Sequence, residues 1–312
     1  SMPLSIGQII QNRYRIDDLL GQGGMGAVYC AYDLSLNRAC AIKEMVPPPQ
    51  VSASEIAQLR QQFRQEASTL ANLSHPSLIR VIDLLTWQDC EILVMDFVEG
   101  QSLETLIEQA AGRGLDEEQV LNWARQLLEA LDYCHNQGIV HCDVKPANII
   151  ITPKGRAVLV DFGLVKVWNP ENPQTMTILR GLGTPAYAPP EQYGLSPGHT
   201  DACSDIYSLG GTLYHALTGQ EPPLATLRTA SVVSFLPPRA LNPALSHSTE
   251  AAIIQAMELE KPRRFQSARA MLAALEQPDG GPTPEVSAPL PRFLRQPRLA
   301  VGALAILLLC AG

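Results

Sequence analysis

The chain is poor in charge and in aromatic rings: charged residues fill 17% of its 312 positions and Phe, Trp and Tyr together 5%. It also has no basic excess. Against 23 Lys and Arg stand 31 Asp and Glu, and a net charge of −8 argues against nucleic acid as a partner. The seven cysteines are odd in number and contain no C-x-x-C pair. That argues against a zinc site or disulfide framework, and for reduced thiols in a cytosolic compartment. No signal peptide is expected at the start, where Ser1 before Met2 reads as a remnant of expression. Charge is absent altogether after Arg298. What is present is 46% hydrophobic, a globular proportion, over more length than one ordinary core needs.

The densest stretch is HCDVKPANIIITPKGRAVLVDFG, residues 141–163. Asp143 stands five residues before Asn148, and a second acid, Asp161, follows. Residues 149–151 and 157–160 are apolar strands around a Pro-Lys-Gly turn. A two-residue loop at Lys154 and Gly155 predicts that Asn148 lies across from Asp161, to within one register step. An amide oxygen and a carboxylate on one edge suit a hard cation such as Mg²⁺. Asp143 is then placed to orient a nucleophile, and Lys145 to offset phosphate charge. Any one of these residues alone would be an ordinary polar end of a hairpin.

The string H-x-D-x-K-P-x-N followed by D-F-G resembles the catalytic core of a protein kinase, and Lys145-Pro146 resembles the Ser/Thr branch. Cys142 departs from the pattern, since it stands where the family usually has arginine.

Upstream, Gly21, Gly23 and Gly26 fit G-x-G-x-x-G. A dinucleotide-binding fingerprint would open a helix, but residues 27–32, AVYCAY, have strand character. The glycines therefore read as a hairpin whose N–H groups approach phosphates, with Val28 over a flat base. The strand ACAIK ends in Lys43 and resembles the family's V-A-I-K, with Ala41 beside the base. A lone strand lysine is ordinarily a solvated edge residue. From residue 55 to 73, however, Ile56, Leu59, Phe63, Leu70 and Leu73 recur at helical spacing, and Glu66 falls on that stripe. A carboxylate on a buried face needs a partner, and Lys43 is the candidate. The resemblance implies that this pair directs Lys43 onto the α- and β-phosphates of ATP. It also implies Met95 as gatekeeper, with Asp96 to Val98 as the backbone facing adenine.

Downstream, residues 164–189 lack periodicity, and a loop of that length is usually functional. GTPAYAPPEQY resembles the family's peptide-docking segment, which implies that Thr184 contacts Asp143 and Lys145 and that Glu191 pairs with an arginine, best matched by Arg264. Thr175 and Thr177 are candidate sites of autophosphorylation between two copies, though two threonines in a polar loop need no such role. Asp205 is expected, by resemblance, to bond the catalytic-loop backbone. Gly210-Gly211 inside an apolar helix implies a close approach.

The expected fold is α+β: a bilobal protein-kinase fold with a small β-rich lobe at 14–98 and a larger helical lobe at 99–277, after an N-terminal extension at 1–13. Residues 278–298 form a Pro-rich linker with a basic end. The apolar run 299–312 is shorter than the ~20 residues a span needs, and reads as the start of a membrane helix near Leu299. The resemblance implies a cytoplasmic, membrane-anchored bacterial Ser/Thr kinase using ATP and Mg²⁺ or Mn²⁺ on protein substrates. In it Asp143, Lys145, Lys43 and Glu66 act in catalysis, and Asn148 and Asp161 hold metal. The rivals are a pseudokinase docking module and a small-molecule phosphotransferase. The complete set of polar residues speaks against the first, and GTPAYAPPE against the second.

Overall fold

The computed structural model describes residues 4–23, 26–45, 52–161, 166–167, 185–194 and 199–277, apart from the side chains at 53, 55, 62, 66, 166 and 167. Six antiparallel strands form the N-terminal sheet: β1 (Ile9–Ile10), β2 (Tyr14–Gly23), β3 (Gly26–Asp33), β4 (Arg38–Met45), β5 (Val81–Trp87) and β6 (Cys90–Asp96). Their order is β1-β2-β3-β4-β6-β5. Burial alternates residue by residue along β3, as the two-residue period of a strand requires. On one face Tyr14, Ile16, Tyr29, Ala31, Ile42 and Val94 form a core of their own, closed by Leu4 and Ile10 from the N-terminal extension. The opposite face carries Ala41, Met45, Leu93 and Met95 and merges with the main core of the molecule.

Helix α1 (Ala53–Ala71) lies against that second face through Phe63, Ala67 and Leu70. Arg64 clamps it to the sheet by two bonds, 2.8 and 2.9 Å, to the buried Glu91 carboxylate. After α1 the chain crosses to β10 (Ala157–Leu159), where Leu159 N–H donates to Ser77 O and Ile79 N–H to Leu159 O. Gly100 marks the passage out of the sheet. Its φ is +158°, and a Cβ there would sit 2.3 Å from the Ile151 carbonyl oxygen, so only glycine fits.

The helical region begins with β7 (Gln101–Ser102), α2 (Leu103–Gln109) and α3 (Glu117–His135). Asp116 caps α3 by accepting from Gln119 N–H, and Val120, Trp123, Leu127, Leu131 and Cys134 are buried as their spacing demands. The short strands β8 (Ile139–Val140) and β9 (Ile149–Ile151) follow, then β10 and β11 (Lys166–Val167). The β9–β10 hairpin turns on three residues rather than the expected two. Thr152 N–H donates to Arg156 O, with Gly155 at φ +75° inside the turn. The extra residue moves the register one step, so Asn148 faces Val160 instead of Asp161.

At the centre is α4 (Ala202–Thr218), buried over nearly its whole length. Around it are α5 (Ala225–Thr229), α6 (Pro238–Leu241), α7 (His247–Ala256) and α8 (Ala268–Leu275). Among the described residues Cys30, Cys40, Cys134 and Cys203 are free thiols. The two glycines of α4 differ. A Cβ on Gly210 would meet Ala256 Cβ at 2.8 Å, whereas one on Gly211 would make only ordinary contacts at 3.5 Å. Gly210→Ala is therefore expected to destabilise the domain by about 1–3 kcal/mol through overpacking. Gly211→Ala should stabilise it by up to about 1 kcal/mol through helix propensity. Opposite shifts of the urea midpoint at unchanged slope are the check, and equal shifts would refute this account of the helix.

Candidate active site

The loop from His141 to Asn148 is held from beneath by one carboxylate. Asp205, fully buried in the first turn of α4, accepts from His141 N–H (2.9 Å), Cys142 N–H (2.8 Å) and His135 Nε2 (2.8 Å). Burial would raise its carboxyl, but His135, His141 and the backbone donors outweigh that and keep it below the ordinary range. Cys142 adopts φ +69°, left-handed for a residue with a side chain, at a cost of about 1–3 kcal/mol. His141 is buried, which holds its imidazole below its usual value, and its Nδ1 faces Asp143 N–H at 3.3 Å.

Asp143 is half-buried and bound on one oxygen. Its Oδ2 accepts from Lys145 Nζ and from Asn148 Nδ2, each at 2.9 Å. Asn148 Nδ2 also donates to the Asp143 carbonyl at 2.9 Å, so its amide nitrogen is committed to Asp143 and Oδ1 is left as an acceptor. Across the cleft, Lys43 Nζ reaches Asp161 Oδ1 at 2.7 Å. Burial acts to raise the Asp161 carboxyl, yet Lys43 holds it below the ordinary range, with His141 and Lys145 adding to the effect.

The other expected site residues fall on the sheet. Val28 is directly opposite both Gly21 and Lys43, Gly23 pairs with Gly26, and Ala41 pairs with Met95. Gly26 has φ +151°, a value side chains rarely adopt. Asp96 N–H is bonded to Arg80 O and its carboxylate to Arg38, while Val98 packs half-buried on the main core. Glu66 lies three residues after Phe63 and four before Leu70, both buried, but its side chain is outside the described residues, and so is its expected pair with Lys43. Thr175, Thr177 and Thr184 are also outside them.

Beside the loop runs segment 185–194. Glu191 and Arg264 form a fully buried two-bond pair, 2.7 and 2.9 Å, as expected, and Ser204 Oγ donates to the same carboxylate at 2.7 Å. Tyr187 Oη lies 2.7 Å from His215 Nδ1 on α4. Gln192 Nε2 donates to the Cys142 carbonyl at 3.0 Å. These last two contacts and the role of His135 were not expected from sequence. The only available signal was position, since Gln192 directly follows Glu191 and His135 closes α3.

A strand-rich lobe with a glycine hairpin and lysine, joined to a helical lobe with an acid-and-amide loop, is the bilobal protein-kinase fold. The chain matches the protein kinase domain model over residues 14–238. It is 32% identical over 288 residues to a probable serine/threonine-protein kinase of Clostridium perfringens, covering 90% of this chain and 40% of that protein. The serine/threonine-protein kinase PksC of Streptomyces coelicolor is 33% identical, covering 83% and 48%. Among solved structures, PpkA-294 in its apo form superposes with TM-score 0.72 at 28% identity, over 88% of this chain and 100% of that one. The kinase domain of Mycobacterium tuberculosis PknI gives 0.68 at 26%, over 88% and 98%. This chain belongs to the protein kinase family and resembles its bacterial serine/threonine members. It spans under half the length of the curated relatives named.

The buried Glu191 and Arg264 pair yields a prediction with a sign. Burial acts to raise the Glu191 carboxyl, but Arg264 and Ser204 bring it below its ordinary value. Its contribution is present above the unfolded carboxylate range and is lost as pH falls below about 4. Glu191→Gln strands the guanidinium and should cost about 3–5 kcal/mol at pH 7. The gap to wild type should shrink as wild type itself loses the pair in acid. Urea titrations at pH 7 and pH 3.5 would check this, and a gap independent of pH would refute it.

Proposed function

We propose that this domain transfers the γ-phosphoryl group of ATP to Ser or Thr hydroxyls of proteins, with the small lobe at 14–98 and the large lobe at 99–277. What carries the reading is Asp143, fixed by Lys145 and Asn148, with Asp161 following the Val160 that bonds Asn148 and with Lys43 reaching Asp161 from the sheet. In this role Asp143 accepts the proton of the attacking hydroxyl as its oxygen bonds to phosphorus and the bond from phosphorus to the bridging oxygen of ADP breaks. Lys145 offsets charge on the transferring group, and Lys43 holds the α- and β-phosphates. Glu66 directs Lys43. Gly21, Gly23 and Gly26 line the phosphates, while Val28, Ala41 and Met95 and the backbone of Asp96 and Val98 hold the adenine.

The Asn148 amide oxygen and the Asp161 carboxylate are hard oxygen donors, a set that fits Mg²⁺ or Mn²⁺ completed by phosphate oxygens and water. When bound, the ion neutralises phosphate charge. Asp143→Asn is expected to lower turnover by about 10²–10⁴-fold with ATP affinity retained. Asp161→Asn should remove the metal-dependent part of ATP affinity. Labelled ATP with a generic protein substrate, alongside nucleotide titration with and without Mg²⁺, tests both, and unchanged turnover in Asp143→Asn would sink the mechanism.

The reading extends to a homodimer that phosphorylates Thr175 and Thr177, and to a kinase domain held at the cytoplasmic face of a membrane by the segment from Leu299. Among the described residues no helix is long and apolar enough to cross a membrane, and 278–312 lies outside them. What supports the anchor is the arginine-flanked apolar run itself. Deleting 278–312 should abolish pelleting with membranes and leave a soluble kinase of unchanged turnover. Lost turnover would show that the tail packs on the domain, contrary to the anchor.

A further inference from the structure

Cys142 precedes the proposed catalytic Asp143 and is held in a left-handed conformation. Relaxation of that residue would rotate the peptide group that carries Asp143. Residue 142 itself is tied at both ends: its N–H to Asp205, and its carbonyl to the Gln192 amide at 3.0 Å. The first tie comes from the rigid central helix. The second comes from the 185–194 segment, whose short Pro190–Tyr193 turn is pinned by Glu191 on Arg264 and ended by Gly194 at φ +69°. Cys142, Asp143, Tyr187, Ala188 and Gln192 line one narrow depression beside this contact. An apolar side chain of the same volume in place of the glutamine would fill the amide's position and leave the carbonyl without that donor.

We infer that Gln192 is a positioning residue for phosphoryl transfer, coupling the fold of the 185–194 segment to the orientation of Asp143 through the Cys142 carbonyl. The inference rests on the proposed kinase reading and adds to it the link between the docking segment and the reacting acid. The link is made by a neutral side chain and requires no phosphate on the Thr175 and Thr177 loop.

The test compares wild type, Gln192→Met and Gln192→Glu in a peptide phosphorylation assay from about pH 4.5 to 7, which brackets the ordinary glutamate range, with melting temperatures measured in parallel. Methionine matches the volume and lacks the donor, so kcat should fall about tenfold with the KM for ATP and the melting temperature little changed. Ionised glutamate faces the carbonyl with a second acceptor, whereas protonated glutamate can donate. The kcat of Gln192→Glu relative to wild type should therefore rise as pH falls, and that of Gln192→Met should not. In a Thr175→Ala/Thr177→Ala background the Gln192→Met deficit should persist at the same size. A kcat for Gln192→Met within twofold of wild type, a flat pH ratio for Gln192→Glu, or a deficit that vanishes without the threonines would each overturn the inference. Absence of Asp143-dependent transfer in wild type would instead defeat the kinase reading.

Discussion

The Asp205 carboxylate is the constraint on which the rest depends. It is buried at the start of a helix that is itself enclosed, and it survives there because three donors converge on it. A buried charge is tolerable only when its lone pairs are met. Meeting them fixes two successive backbone N–H groups of the loop, and that geometry makes the left-handed Cys142 affordable. Asp143, Lys145 and Asn148 inherit their positions from it.

A second buried charge does similar work at one remove. Glu191 and Arg264 secure the turn that presents Gln192, so the loop is gripped from α4 below and from the 185–194 segment beside it. The sheet is organised differently. Its one face belongs to the main core and to the cleft, while its other face is sealed by residues 4–10, which precede the stretch matched by the family model. Lys43 stands on the cleft face, and Glu44, next along the strand, lies buried on the other with Leu4 N–H and Tyr29 Oη as donors. The two-residue period of β4 thus sets a polar anchor of the sheet beside the lysine of the cleft.

Much of this was legible in the chain because the signals are local. Apolar and β-branched runs named the strands, three- and four-residue spacing named α1, and a glycine pair inside an apolar helix announced close packing. Only Gly210 bears that packing out, since Gly211 has room for a methyl group. The pairing of Glu191 with Arg264, 73 positions apart, was reachable only through the family resemblance. The hairpin register falls one step from direct opposition, within the one-step range expected, because turn length is decided by a single left-handed glycine, Gly155, which two- and three-residue loops both accept.

By itself the sequence determined the element types, the order of the motifs and the polar residues available to the cleft, since backbone period and side-chain chemistry are properties of neighbours along the chain. Only the tertiary structure decided which of those residues meet: Asp161 with Lys43, His135 with Asp205, Gln192 with the Cys142 carbonyl. Those choices join residues up to 118 positions apart, and they turn on how helices and sheet pack in three dimensions. Hydrogen bonds that short are selected by the placement of whole elements, which no local pattern encodes.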